Sequence, residues 1–190
     1  MLTFQKARQI AADTLKGTII NSDITLSIID KSTIEKPYAW IFFYDFVNPK
    51  DKTELTEALG GNSPLFISKI DGQVSRFRSG LPIDAMIDEY EEINKIWELI
   101  LIENVSLDNT QLFNIKNIFN LTYTDLSAFK NSDTKTLDKG ARARLIILQQ
   151  ELTDRKIEGR INTKKPDKGI AKHNNVFPKA GWTEHYRADD

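Results

Sequence analysis

The sequence predicts an α+β fold: an antiparallel sheet with flanking helices, followed by a mostly helical C-terminal module and an extended tail. Three observations lead there. Tyr38 to Tyr44 is an almost unbroken run of aromatic and aliphatic residues, the pattern of a strand buried on both faces. Asp71-Gly72, the strongest turn signal in the chain, lies between two strand-like runs, Leu65 to Ile70 and Gln73 to Arg78. Beyond Asp108 the strand signal gives way to helical spacing and the charge changes sign. Residues 1–107 hold 11 Lys+Arg against 16 Asp+Glu, a net of −5, and residues 108–190 hold 15 against 11, a net of +4. We therefore divide the chain into an α+β unit over 1–107, a helical module over 108–161 and a tail over 162–190.

Thr3 is placed to cap a first helix running to about Lys16, with Ala7, Ile10, Ala11, Thr14 and Leu15 on one stripe and Gly17 as its terminator. Ile24 to Ile29 reads as a strand with Ile24, Leu26 and Ile28 on one face. The polar stretch 48–62 holds a possible short helix, Thr53 to Leu59, broken by Gly60-Gly61-Asn62. Pro82 suits the first turn of a helix reaching about Ile93. That helix should turn Ile83, Met86, Ile87 and Tyr90 to the core and Asp84, Asp88, Glu89, Glu91 and Glu92 to water. Ile96 to Ile102 fits a last strand or a continued helix, and its β-branched residues favour the strand. Three helices are then expected, over Asn109–Phe119, Thr122–Lys130 and Leu137–Lys156. The second opens on Thr122-Tyr123-Thr124-Asp125, which has the form of a capping box.

Chemistry-bearing residues are few. The 190-residue chain has no Cys, which excludes disulfides and thiolate metal sites and fits a reducing, cytoplasmic setting. Its N-terminus lacks the apolar run of a secretory signal, and no stretch has the roughly 18 apolar residues of a membrane span. Both histidines, His173 and His185, fall in the tail, a poor place to hold a catalytic base, and their spacing does not suit zinc. Gly60-Gly61-Asn62 lacks the remaining residues of a phosphate-binding loop. No catalytic, cofactor-binding or metal-binding residues are therefore expected. The aromatic run 38–44, with Trp40, is better read as core than as a ligand site. Arg142, Arg144 and Arg155 are interleaved with Glu151 and Asp154, as on a solvated helix rather than a nucleic-acid surface.

The N-terminal half, from about Leu2 to Tyr90, resembles the immunity protein 35 family. The resemblance is carried by Asp30-Lys31-Ser32-Thr33-Ile34-Glu35, Tyr38-Ala39-Trp40-Ile41-Phe42-Phe43-Tyr44, Leu59-Gly60-Gly61-Asn62-Ser63-Pro64-Leu65, Lys69-Ile70-Asp71-Gly72, and Gly80-Leu81-Pro82-Ile83-Asp84 with Tyr90. It departs from the family pattern at Ala39, where a glycine is usual, and at Phe46-Val47-Asn48-Pro49, which replaces a tyrosine-containing segment. The resemblance implies a non-enzymatic cytoplasmic protein that binds and neutralises a bacterial polymorphic toxin encoded by a neighbouring gene. The expected mechanism is stoichiometric occlusion. Asp84, Asp88, Glu91 and Glu92 are the candidate partner-binding residues, because an acidic rim is steered to the basic cleft of a toxin acting on an anionic substrate. For a peptidase toxin, residues Pro49 to Leu59 are the candidate plug. The alternatives are a regulatory or nucleic-acid-binding adaptor working through Arg142, Arg144 and Arg155, and an enzyme whose site the sequence does not reveal.

Overall fold

A computed structural model of the chain describes residues 1–16, 25–47, 63–102 and 107–163. The expected features at Gly17, Ile24, Thr53 to Leu59 and Gly60-Gly61-Asn62, the plug 49–59, and the tail with both histidines from residue 164 onwards lie outside the described residues.

Helix α1 spans Phe4–Lys16 and buries Ala7, Ala11 and Leu15, the stripe that the spacing predicts. The Thr3 hydroxyl accepts from the Lys6 N–H at 3.4 Å, a long cap. Strand β1 (Thr25–Ile28) is followed by a single 3-10 turn, Asp30–Ser32, and by β2 (Ile34–Glu35). Arg8 of α1 holds Asp30 with two parallel bonds of 2.7 and 2.9 Å, tying the helix to that turn.

The aromatic run is two strands rather than one. β3 covers Ala39–Phe42 and β4 covers Tyr44–Val47, with a break at Phe43. β4 pairs antiparallel with β1 as a separate ribbon. β3 pairs with β2 and with β5 (Leu65–Ser68), and β5 pairs with β6 (Val74–Ser75), giving an antiparallel sheet in the order β2-β3-β5-β6. The break lets one apolar segment serve two sheets, which no periodicity in the run announces.

Asp71-Gly72 forms the turn between β5 and β6. Gly72 has φ +77°, where a side chain would be strained, and the Gly72 N–H donates to the Ser68 carbonyl at 3.0 Å. The returning strand is only two residues long, shorter than the expected Gln73–Arg78.

β3 and β5 are covered on both faces, as the continuous apolar run requires. On one face Phe42, Leu65 and Ile67 pack with Ala7, Ala11 and Leu15 of α1. On the other, Ala39, Ile41 and Phe66 pack with Met86, Ile87 and Tyr90 of helix α2 (Ile83–Asn94). Pro82 stands one residue before α2, at its N-cap. Trp40 is half-buried rather than fully enclosed: its ring meets Phe4 edge-on at 5.3 Å and lies under the Lys69 ammonium at 4.2 Å. Lys69, 6% exposed, completes this lid by bonding Glu35 at 2.6 Å. The deepest positions of the strand are Ala39, Ile41 and Phe42.

Strand β7 (Trp97–Leu101) resolves the ambiguity at residues 96–102 in favour of a strand. Helices α3 (Asn109–Ile118) and α4 (Tyr123–Asn131) follow, each opened by a capping box, Asp108 with Gln111 and Thr122 with Asp125. The third expected helix is corrected at its start. Thr136–Gly140 is strand β8, and helix α5 covers only Arg142–Asp154. Pairing with β7 overrides the weak local preference of Thr-Leu-Asp-Lys-Gly, and Gly140 ends the strand. A further strand, β9 (Gly159–Thr163), pairs with β7 on its other side. The second sheet therefore has the order β8-β7-β9, and its central strand comes from the chain before residue 107. Leu99 and Leu101 of β7 pack with Ile115, Leu145, Leu152 and Ile157, and Trp97 touches both this core and that beneath α2. No helix among the described residues is long and apolar enough to cross a membrane.

Candidate partner-binding surface

The four candidate carboxylates lie on α2, whose inner face is fixed by Met86, Ile87 and Tyr90. Helical geometry spreads the four around the remaining arc, and their environments diverge. Asp84 is exposed in the first turn. Asp88 is half-buried, and its carboxyl is shifted upwards by burial first, then by the negative charges of Glu91 and Asp84, with Lys36 opposing. Glu89, the residue after Asp88, is exposed.

Glu91 does not face water as the helical spacing suggests, and Glu92, half-buried, is engaged by groups of its own chain. Glu91 is 4% exposed. It accepts the Tyr38 hydroxyl on one oxygen and the Arg142 backbone N–H, at 2.8 Å, on the other. Burial, then the bond to Glu91, raises the Tyr38 phenol well above its ordinary range. Glu92 accepts the Ala141 N–H at 2.9 Å, the Arg144 guanidinium at 3.1 Å and the Lys95 ammonium at 2.5 Å. Arg144 also binds the Asp138 carboxylate and, at 2.9 Å, the Lys139 carbonyl.

Two adjacent carboxylates at the end of α2 thus cap the start of α5. Ala141, the N-cap residue, has no side chain able to do so, and the first N–H groups of a helix need an acceptor and favour negative charge. Gly140 leaves the room for this arrangement, since a methyl group there would collide with the Glu92 carboxylate and the Arg144 guanidinium. The latch was not legible as such. The signal available was a helix start, Gly140-Ala141-Arg142, with no capping residue of its own.

Burial alone would raise the Glu92 carboxyl, but the bonds from Lys95, Ala141 and Arg144 outweigh it and bring the carboxyl down to about 2, from an ordinary value of 4.5. A group depressed on folding stabilises the fold above its unfolded value and loses that contribution as pH falls through its folded value. Stability should therefore decline between about pH 4.5 and 2. Glu92→Gln should flatten that part of the pH profile in thermal melts. An unchanged profile in the variant would show that Glu92 is not linked to folding.

The basic residues of α5 are engaged within the chain. Arg144 is held as above, and its guanidinium is shifted further upwards, first by its bond to Asp138. Arg142 lies over the Trp97 ring at 5.6 Å, and Arg155 donates to the Glu151 carbonyl at 2.8 Å. Lys135 donates to the carbonyls of Phe129, Lys130 and Ser132, closing the end of α4. Among the described residues no group of three or more His, Cys, Asp or Glu is placed to hold a metal ion.

The structure thus separates the four candidates: Asp84 is exposed and Asp88 half-buried on the outer arc of α2, while Glu91 and Glu92 join two parts of the chain. Compared with known proteins, the chain matches no family model, no curated protein and no solved structure.

Proposed function

We propose that this chain is an immunity protein that binds a cognate bacterial polymorphic toxin, the product of a neighbouring gene, and neutralises it by stoichiometric occlusion in the cytoplasm of the producing cell. The observation that carries the reading is the resemblance of residues 2–90 to the immunity protein 35 family, in its order of motifs from Asp30 through Tyr90. The outer face of α2 supports it, with Asp84 and Glu89 exposed and Asp88 half-buried, on a unit of net charge −5. In this reading the protein turns over no substrate and takes no cofactor. The adaptor alternative has less support, because Arg144 is neutralised by Glu92 and Asp138 and Arg142 lies over Trp97.

The test is binding kinetics with the purified neighbouring toxin. A one-to-one complex of nanomolar affinity is expected. Its association rate should fall steeply with salt, since the Debye length shrinks from about 10 Å at 0.1 M to about 3 Å at 1 M, while dissociation changes less. Asp84→Lys with Asp88→Lys should slow association at low salt and leave the melting temperature within a few degrees. Glu91 and Glu92 are left out of that variant because their reversal would open the latch. Association indifferent to salt and to both reversals would remove the steering face. Absence of binding would remove the immunity reading for that pair.

A further inference from the structure

We infer that residues 94–96 form a hinge between two separately packed bodies, held shut by the latch of Glu91 and Glu92. Among the described residues the chain divides at that point. Helices α1 and α2 with strands β1 to β6 lie before it, and β7 to β9 with α3 to α5 lie after it. No strand of one body pairs with a strand of the other. Their cores are separate as well: among the described residues Trp97 is the one side chain packed against both. The described chain crosses from one body to the other through Lys95 and Ile96 alone, directly between the end of α2 and the start of β7. Lys95 takes the left-handed conformation there, with φ 49°, which is uncommon for a residue with a side chain.

The contacts that close this joint are mainly polar. Glu91 accepts the Arg142 N–H at 2.8 Å, and Glu92 accepts the Ala141 N–H at 2.9 Å and the Arg144 guanidinium at 3.1 Å. The side chains of Glu92 and Arg144 remain 38% and 42% exposed, so water reaches the ion pair. The apolar share of the joint is centred on Trp97, whose buried indole N–H has no hydrogen-bond partner among the described residues. An interface of this kind, between bodies that each keep a core of their own, separates at less cost than either core opens. Separation needs rotation only at the end of α2 and the start of β7, the element-terminal positions that absorb a hinge motion. It would leave both sheets intact. It would strip the first N–H groups of α5 of their acceptors and leave Glu92 with Lys95, which bonds it at 2.5 Å from within the hinge. The two carboxylates are therefore what holds the joint shut.

The test is the spread of distances between paired spin labels on the full chain, measured by pulsed electron paramagnetic resonance. The chain has no cysteine of its own, so labels go only where cysteines are introduced. Lys31→Cys with Asn117→Cys spans the joint. Lys31→Cys with Glu89→Cys, and Asn117→Cys with Thr153→Cys, each lie within one body, and all four positions are exposed. In the parent chain the spanning pair should be as narrow as the two controls. Glu92→Lys sets a cation against Arg144 and the positive start of α5, at a helix C-terminus where a cation is otherwise favoured. It should broaden the spanning distribution beyond both controls and leave the controls narrow. Glu92→Ala should do the same to a smaller extent, and it decides the matter if Glu92→Lys alone fails to fold. The amides of Lys69 and Leu101, hydrogen-bonded one in each body, should stay protected from hydrogen exchange in the folded variants. A spanning distribution unchanged in the folded variants would overturn the inference. So would loss of protection at both amides in Glu92→Lys and Glu92→Ala alike, because the two cores would then open together rather than about a hinge. A distribution already broad in the parent would show that the latch does not hold the joint.

Discussion

Phe66→Ala should destabilise the protein by about 3–5 kcal/mol, the cost of removing a large aromatic side chain from a core that cannot close around the gap. Phe66 is completely buried at the centre of the β2-β3-β5-β6 sheet, where it pairs with Ile41 on β3. Its ring meets Phe77 edge-on at 4.9 Å and stacks on Tyr90 of α2 at 5.3 Å. The truncation therefore removes the contact that seats α2 on the sheet as well as the apolar area itself. Denaturant unfolding measures the effect. A loss below about 1 kcal/mol would mean that the face of the sheet beneath α2 is not the core described above.

Glu91→Ala should cost about 3 kcal/mol, through hydrogen bonding rather than packing. The substitution leaves the Tyr38 hydroxyl and the Arg142 N–H without their acceptor in a buried setting, at about 1–3 kcal/mol for each group. Glu91→Gln separates this cause from a general intolerance of change. The glutamine carbonyl can still accept from the Arg142 N–H, and its amide can donate to the Tyr38 oxygen, so about half of the stability should return. Equal losses in the two variants would show that the carboxylate's charge, not its accepting geometry, holds the start of α5. A loss below about 1 kcal/mol in Glu91→Ala would remove the latch.

These two expectations mark the boundary of what the sequence discloses. Local patterns carried through wherever one residue type has one physical use. Asp71-Gly72 makes its turn because only a residue like glycine takes the left-handed conformation without cost, and the stripe of α1 is buried as spaced. Thr122 and Asp125 form their box because both partners lie within one turn. Legibility ended where a residue's partner is distant along the chain. Glu91 and Glu92 satisfy the helical pattern of a solvated face, and only the approach of residues 141–144 makes one of them a buried acceptor. Thr136–Gly140 is a strand because β7 is there to pair with it, and Lys69 is buried because Trp40 and Glu35 receive it.

The candidate surface divides in the same way. Asp84 and Asp88 could be placed from the period of α2, anchored by Met86, Ile87 and Tyr90. The arginines of α5 could not. Arg144 belongs to the latch through Glu92 and Asp138, and Arg142 lies over the Trp97 ring. A surface read from charge counts alone would have put the functional weight on groups that the fold uses internally.

The proposed neutralisation of a toxin by occupancy is measured most directly by the growth of cells expressing the neighbouring toxin. Co-expression of the full chain should restore growth, and in the purified system toxin activity should fall linearly to zero at one equivalent of protein, with no dependence on incubation time. Cells that die whether or not the chain is present, or a toxin inactivated progressively by a small fraction of an equivalent, would contradict stoichiometric occlusion.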